Sequence, residues 1–378
     1  MDYEYIKQNA SDSGKCGEHL YWYFLSGNLY IEGEGVMTDA PWHKPYADQI
    51  NDVHVGNGCV NIKRGAFHDC SGLKMAVLPG SVKTIDKYAF QKCKNLRTVT
   101  LSEGLTEVRS HAFDQCESLS EMWFPKSLWG VGAYAFRRCT SLQTVKLPPA
   151  LSKKDHVFEK CENIRTVWIP QNGSGYEIEA LKEFSNVESF YVEAGNESFA
   201  APDGVLYHKK DKCLVAFPHR KTGSYQIAAG TLSIGEAAFA LCKELTAVTL
   251  PDGIQEIGTG AFWACHGLKK LNLPGSLRKI GSYAFHLCVA LEAAEIPDGI
   301  SEIENGVFYV CKNMKSLTIP RSVRQIGERA FCSCESLSSV TVPDSVTEIG
   351  KAAFDKVPHI IYNGSARSDD NWGAQKIN

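Results

Sequence analysis

Fourteen cysteines stand in this chain, and ten of them recur at one phase of a regular interval: Cys70, Cys93, Cys116, Cys139, Cys161, Cys242, Cys265, Cys288, Cys311 and Cys334. Sulfur at that density suggests a metal site or a set of disulfides. Structural zinc motifs, however, take ligands in pairs roughly two to four residues apart. Successive thiols here mostly lie 23 apart, and only Cys332 and Cys334 sit close together. On stacked parallel strands, about 4.8 Å apart, column neighbours come within disulfide reach. Their Cβ vectors nevertheless run parallel, where a bridge needs them to converge to about 3.8 Å. The spacing predicts a packed column of reduced thiols acting as small hydrophobes, with no metal and no cofactor. Cys16, Cys59, Cys213 and Cys332 fall outside the column.

Other chemistry finds no constellation. The eleven histidines, among them His68, His111, His156, His266 and His286, are scattered over different phases of the interval. Asp and Glu stand mostly between apolar anchors, as solvated surface charge does. No phosphate-cradling G-x-x-x-x-G-K-[ST] loop, H-E-x-x-H helix, G-x-S-x-G elbow or dinucleotide glycine pattern occurs. No catalytic residue is nominated, and an enzyme is not expected.

The elements that would position side chains follow from the interval itself. Ala-Phe or a near variant recurs at Phe67, Phe90, Phe113, Phe136 and Phe158, then at Phe239, Phe262, Phe285, Phe308, Phe331 and Phe354. A fixed period of this length marks stacked supersecondary units. One unit reads LKKLNLPGSLRKIGSYAFHLC, from Leu268 to Cys288. Leu271 and Leu273 alternate as a half-buried strand does, and Pro274, lacking an N–H, ends the ladder. Leu277 and Ile280 form a second short extended piece. Ala284, Phe285 and Cys288 have the spacing of one helical turn, so each coil has two straight sides and a short corner.

The pattern L-x-x-[IVL]-x-[IVL]-P followed by I-G-x-x-A-F-x-x-C resembles the BspA-type leucine-rich-repeat family. That resemblance implies a repeat solenoid, a right-handed superhelix of about 23-residue coils, mostly β with short helical or 3-10 turns on its outer side. Residues 1–55 are similar to that family's N-terminal cap, with a hairpin over 20–33 around Ser26, Gly27 and Asn28. Arrays are expected over 56–170 and 225–357. Between them, 171–224 reads as a degenerate coil plus an inserted hairpin projecting from one side, and DGVLY hairpins interrupt repeats elsewhere in the family. Residues 358–378 form the expected C-terminal cap, which covers an otherwise open strand edge.

Stacking turns the sequence into surface columns. The column between the last two strand anchors runs Val77, Thr100, Trp123, Lys146, Trp168 and Tyr191, then Thr249, Asn272, Glu295, Thr318 and Thr341. Aromatics gather in its first half, and Trp and Tyr are enriched at binding hot spots. Trp123, Trp168 and Tyr191 are therefore the leading partner-binding candidates. Lys146 and Met75 extend the patch, Trp129 adds a second exposed ring where other coils carry residues such as Lys83, and Arg97 and Arg165 lie on the flank.

Composition narrows the partner. Hydrophobic residues make up 44% and charged residues 22%, near the globular averages, and the formal net charge is -3 with no run of Lys and Arg on one face. Nucleic acid is not an expected partner. No stretch approaches the roughly 20 apolar residues of a membrane helix, so no membrane insertion is expected, and the first residues lack the layout of an export signal. The resemblance implies a secreted or cell-surface protein engaged in adhesion, with any export signal outside these residues. Its expected partner is a host or neighbouring-cell protein. Alternatives are a carbohydrate-binding module stacking sugars on Trp123 and Trp168, two coils or about 10 Å apart, and a structural spacer of a larger surface protein.

Overall fold

The computed structural model describes residues 3–151, 153–176, 178–181, 184–367 and 370–377. The chain divides into two compact units, Met1–Glu197 and Ser198–Asn378. Each is a β-solenoid in which one coil lies on the next.

In the first unit one side of the coil is the strand series Asn28–Glu34, Asp52–Val55, Met75–Leu78, Thr98–Leu101, Glu121–Trp123, Thr144–Lys146, Thr166–Ile169 and Ser189–Val192. Pairing within the series is parallel, in register. The other side is built of two-residue strands, such as Thr84–Ile85 and Glu107–Val108. The second unit repeats the plan. In its unit from Leu268, the anchors Leu268, Leu271, Leu277, Ile280, Phe285 and Cys288 are all buried.

The corner between the second side and the next first side is tighter than one helical turn. Ala66, His68 and Cys70 N–H groups bond back three residues, as in a 3-10 turn, while the intervening Phe67 and Asp69 donate to Ala89 and Gln91 of the next coil at 2.8 and 2.7 Å. Alternating the direction of successive N–H groups forces left-handed backbone two residues before and two after each Phe, as at Tyr88 (φ 62) and Lys92 (φ 61). Each such residue costs about 1–2 kcal/mol, partly offset by cross-coil hydrogen bonds worth about 0.5–1.5 kcal/mol each.

Inside the corner the phenylalanine rings stack. Phe67, Phe90, Phe113 and Phe136 lie 5.0, 5.1 and 5.1 Å apart. In the second unit Phe239, Phe262 and Phe285 follow at 4.7 and 5.3 Å. Beside them the cysteines form the expected column, and beyond the first of each array, Cys70 and Cys242, each thiol donates to the Phe carbonyl of the preceding coil. Cys93 reaches Phe67 O at 2.9 Å and Cys265 reaches Phe239 O at 3.0 Å. A hydroxyl would fill less volume and a Val would leave that carbonyl unbonded, which explains why the position holds sulfur. Burial pushes the Cys70 and Cys265 thiols up to about 12.

The ends are closed by indoles. Trp42, fully buried, stacks 5.6 Å from Phe67 and donates Nε1–H to Ala66 O at 3.0 Å. Above it, strands His19–Leu25 and Asn28–Glu34 form the expected hairpin, turning through Ser26 (φ 50) and Gly27 (φ 82), the two positive φ values that a two-residue hairpin turn requires. At the other end, Trp372 O accepts the Phe354 N–H at 3.0 Å. Ser368, Asp369 and Asn378 of the expected C-terminal cap lie outside the described residues.

The hairpin expected to project between the arrays does not. Strand Cys213–Ala216 pairs antiparallel with Leu206–His208 and parallel with Ser233–Ile234, which makes both part of the second unit's second side. The physical reason is apolar: Val205, Leu206, Leu214, Val215 and Phe217 are buried, and Phe217 stacks 4.7 Å from Phe239 as the first ring of that unit's column.

Two outcomes follow from this core. Phe285→Ala should lower stability by about 3–5 kcal/mol, read by denaturant unfolding, against less than about 0.5 kcal/mol for the exposed Lys279→Ala. A thiol reagent added to the native protein should label Cys213 alone, since the other thirteen cysteines are buried and it is half-buried. The remainder should react on unfolding.

Candidate functional site

The outward positions of the first unit's first side carry the candidate site. Along each strand, inward residues alternate with outward ones: Met122 and Phe124 are buried where Trp123 is exposed, and Val145 and Val167 are buried beneath Lys146 and Trp168. The parallel register places Trp123, Lys146, Trp168 and Tyr191 in one row, as the spacing predicts.

Three of the rings converge. Trp168 and Tyr191 stack at 4.6 Å with 16° between planes, and Trp123 reaches Trp168 at 6.1 Å and 48°. The approach of Trp123 and Trp168 is closer than the two-coil separation of about 10 Å expected for independent platforms. The intervening Lys146 explains it. Its Nζ reaches past Trp168 to Glu193 at 2.7 Å, leaving its side chain 13% exposed, so the two indoles close over its row position. Trp123 is further held by its Nε1–H donating to Glu121 Oε2 at 3.1 Å. The result is a fixed aromatic patch with Trp123 and Tyr191 each 44% exposed. Side chains already packed lose little rotamer freedom when a partner covers them.

Glu193 is the member that the sequence did not nominate. Burial opposes its ionisation, but the Lys146 ammonium and the Gln171 N–H, 2.9 Å away, outweigh this and hold its carboxyl below the usual range. It follows the last strand of the row rather than repeating a strand position, so period alone does not point to it.

The remaining candidates separate. Trp129 is 71% exposed but precedes strand Gly130–Val131 on the second side of the coil, where its N–H bonds Thr106 O. It is not part of the patch. Met75 pairs with Asp52 and Thr98 in the adjacent row, two coils before Trp123. Arg97 is exposed, and Arg165 donates to Asn186 O at 3.2 Å and lies 3.7 Å from Glu188. The two arginines stand three coils apart in the row that leads into the strands, flanking the patch.

Among the described residues, no group of three or more His, Cys, Asp or Glu side chains is arranged to hold a metal ion, and no helix is long and apolar enough to cross a membrane. A deeply buried carboxylate of the first unit, Asp114, is bound by Arg137 at 2.9 and 3.0 Å and by Gln91 at 2.9 Å, with His111 at 3.2 Å. That network ties three coils together.

The BspA type leucine rich repeat region matches this chain in six copies over residues 60–188 and 232–361. Among solved structures, a leucine-rich repeat protein from Eubacterium ventriosum is 22% identical over 96% of this chain and 97% of its own, with a TM-score of 0.54. The pneumococcal vaccine antigen PcpA is 20% identical over 96% of this chain and 89% of its own, with a TM-score of 0.56. A leucine rich cell surface protein from Faecalibacterium prausnitzii is 22% identical over 98% and 99%, with a TM-score of 0.52. At these identities the likeness establishes the fold. Among curated proteins, none matches.

The electrostatic tie beneath the rings has a testable sign. A carboxyl held below its ordinary value adds stability above the unfolded pKa, about 4.3 for Glu, and loses it as pH falls through the folded value. Glu193→Gln should therefore be less stable than the parent at neutral pH, and the gap should close below about pH 4. Denaturant midpoints across a pH series read this directly.

Proposed function

We propose that this chain, which belongs to the BspA-type leucine-rich-repeat family, is a non-catalytic recognition protein whose first-unit sheet face binds another protein. The family and fold are generally non-enzymatic scaffolds that bind proteins. The single observation that carries the reading is the fixed Trp123–Trp168–Tyr191 patch over the Lys146–Glu193 pair. It has the make-up of a hot spot: large aromatic side chains already in place, with polar groups satisfied at the rim.

A protein partner fits this patch better than a sugar. Carbohydrate stacking needs open ring faces, and here Trp168 has one neighbour on each side, with Tyr191 nearly parallel to it. What remains outward is part of Trp123 and of Tyr191, each 44% exposed, beside the Lys146–Glu193 pair. Partly exposed rings and a satisfied ion pair complement protein surface, where aromatic pairs also meet edge to face.

Placement at a cell surface or in the secreted fraction accords with the family, and a fold neighbour is itself described as a cell surface protein. A host or neighbouring-cell protein is then the partner, and adhesion the role.

A panel of immobilised extracellular-matrix proteins, run beside a glycan panel, tests the reading. Binding to a matrix protein should weaken about a hundredfold, or about 2.7 kcal/mol, when Trp123→Ala is combined with Trp168→Ala in a variant whose circular dichroism is unchanged. Undiminished affinity in that variant removes the patch as the site, and binding confined to glycans replaces the protein reading.

A further inference from the structure

The corner of the second unit presents a surface that its own fold does not use. At the position two residues after each Phe, where the backbone is left-handed, the first unit carries Asp69, Lys92, Gln115, Arg138 and Lys160. From Phe239 onward the second carries Leu241, Ala264, Leu287 and Val310, with φ between 56 and 63, and then Ser333 and Lys356. An apolar residue there gains little, because the side chain leans into solvent: Leu241 is 38% exposed, and Leu287 and Val310 are half-buried. Val310 is the sharpest case, since a β-branched residue in this region is a conformational outlier. Exposure works against Leu241, Leu287 and Val310, though not against the buried Ala264, and the backbone strain of all four is offset only in part by their cross-coil hydrogen bonds.

The neighbouring column continues the surface. One residue after each Phe stand Trp263, 41% exposed, then His286 and Tyr309, stacked at 4.7 Å. Tyr283, also 41% exposed, lies edge-on to His286 at 5.9 Å, with its ring across Gly306, where a Cβ would collide with it. Between residues 237 and 310 the three outward corner columns hold no Asp, Glu, Lys or Arg. The patch spans four coils, about 19 Å along the stack from first to last including side-chain breadth.

Charge appears only at its edges, and differs between them. Where the chain enters the corner the edge is Glu236, Thr259, Ser282, Asn305 and Glu328. Where it leaves, the edge is Lys243, His266, Val289, Lys312 and Glu335. A two-fold axis parallel to this unit's stacking direction brings the entering edge of one copy against the leaving edge of another at the same height. Lys243 then faces Glu236 of the same coil in the second copy, His266 faces Thr259 and Lys312 faces Asn305, while one coil beyond the ridge Glu335 faces Glu328, a like-charge pair that confines the contact to these four coils. A two-fold axis across the stack would instead set lysine edge against lysine edge. We propose that this corner is the contact surface of a parallel two-fold dimer, held by the apolar ridge and registered by the edge charges. Such an interface is isologous, the same patch on both copies. Its small breadth, against the roughly 800 Å² per partner of a stable complex, makes it a weak, micromolar association. A dimer shows a partner two recognition faces and gains by avidity.

Sedimentation velocity across the micromolar range tests this with the full chain. The parent should shift reversibly from monomer to dimer as concentration rises. Leu287→Lys should remain monomeric about tenfold higher in concentration, and the fold accepts lysine at this backbone position, as Lys92 and Lys160 show. Lys243→Glu should weaken the dimer, and adding Glu236→Lys should restore it, which distinguishes the parallel two-fold from general stickiness. A parent that stays monomeric throughout, or a dimer indifferent to Leu287→Lys, overturns the proposal. Charge reversal that is not rescued by the second exchange overturns its geometry.

Discussion

The structure depends on one constraint: within each unit a coil must hydrogen-bond its neighbour at one spacing. The straight sides meet this with parallel ladders over runs of coils, broken in places such as between Thr98–Leu101 and Glu121–Trp123. The corner satisfies it by turning alternate N–H groups outward along the stack, from Phe67 to Ala89 and from Phe262 to Ala284, each at 2.8 Å. A helical corner would direct its N–H groups back into its own turn and leave neighbouring corners unbonded. The left-handed residues flanking each Phe are the local consequence of the inter-coil bond. The repeat length is thus the length that returns the backbone to the same bonding phase.

From that spacing the side-chain chemistry follows. Rings stacked about 5 Å apart fill the corner with dispersion contact, and a thiol beside them is small enough to fit yet able to cap the Phe carbonyl that the tight turn leaves free. Outward positions answer to different rules, because nothing in the ladder constrains their side chains. The same backbone site holds Arg138 in one unit and Leu287 in the other. The core repeats while the surface is free to vary column by column, and function in such a fold resides in departures from the repeat.

Legibility in the sequence divides along that line. The Phe and Cys columns, the strand row from Trp123 to Tyr191 and the capping hairpin were readable because each is set by period or turn chemistry: residues one repeat apart lie one above another. The left-handed corner was not readable, since Tyr88, Lys92 and Leu241 share no side-chain property and the demand lies on the backbone alone. Nor was the fate of residues 205–217, whose two apolar runs describe a hairpin without saying whether its edge will find a ladder. In the patch, the row placed Lys146 between the indoles, but rotamers decided that it would reach Glu193 and let them close.

The same reasoning explains why Trp129 and Trp123, six residues apart, serve different surfaces. The turn after Phe124 carries the chain from one straight side to the other, so proximity in sequence becomes separation across the coil, while Tyr191, far along the chain, comes to lie beside Trp168. Two surfaces of contrasting chemistry therefore coexist on this chain without sharing a structural element. One is a preformed aromatic patch in the first unit, whose polar groups are satisfied. The other is an exposed apolar ridge in the second, whose left-handed strain the cross-coil hydrogen bonds offset only in part. Satisfied aromatic patches await a partner whose shape matches. Exposed apolar side chains such as Leu241, Trp263 and Tyr283 gain by cover from outside, and the proposed two-fold contact supplies it with Lys243 and Glu236 setting its register.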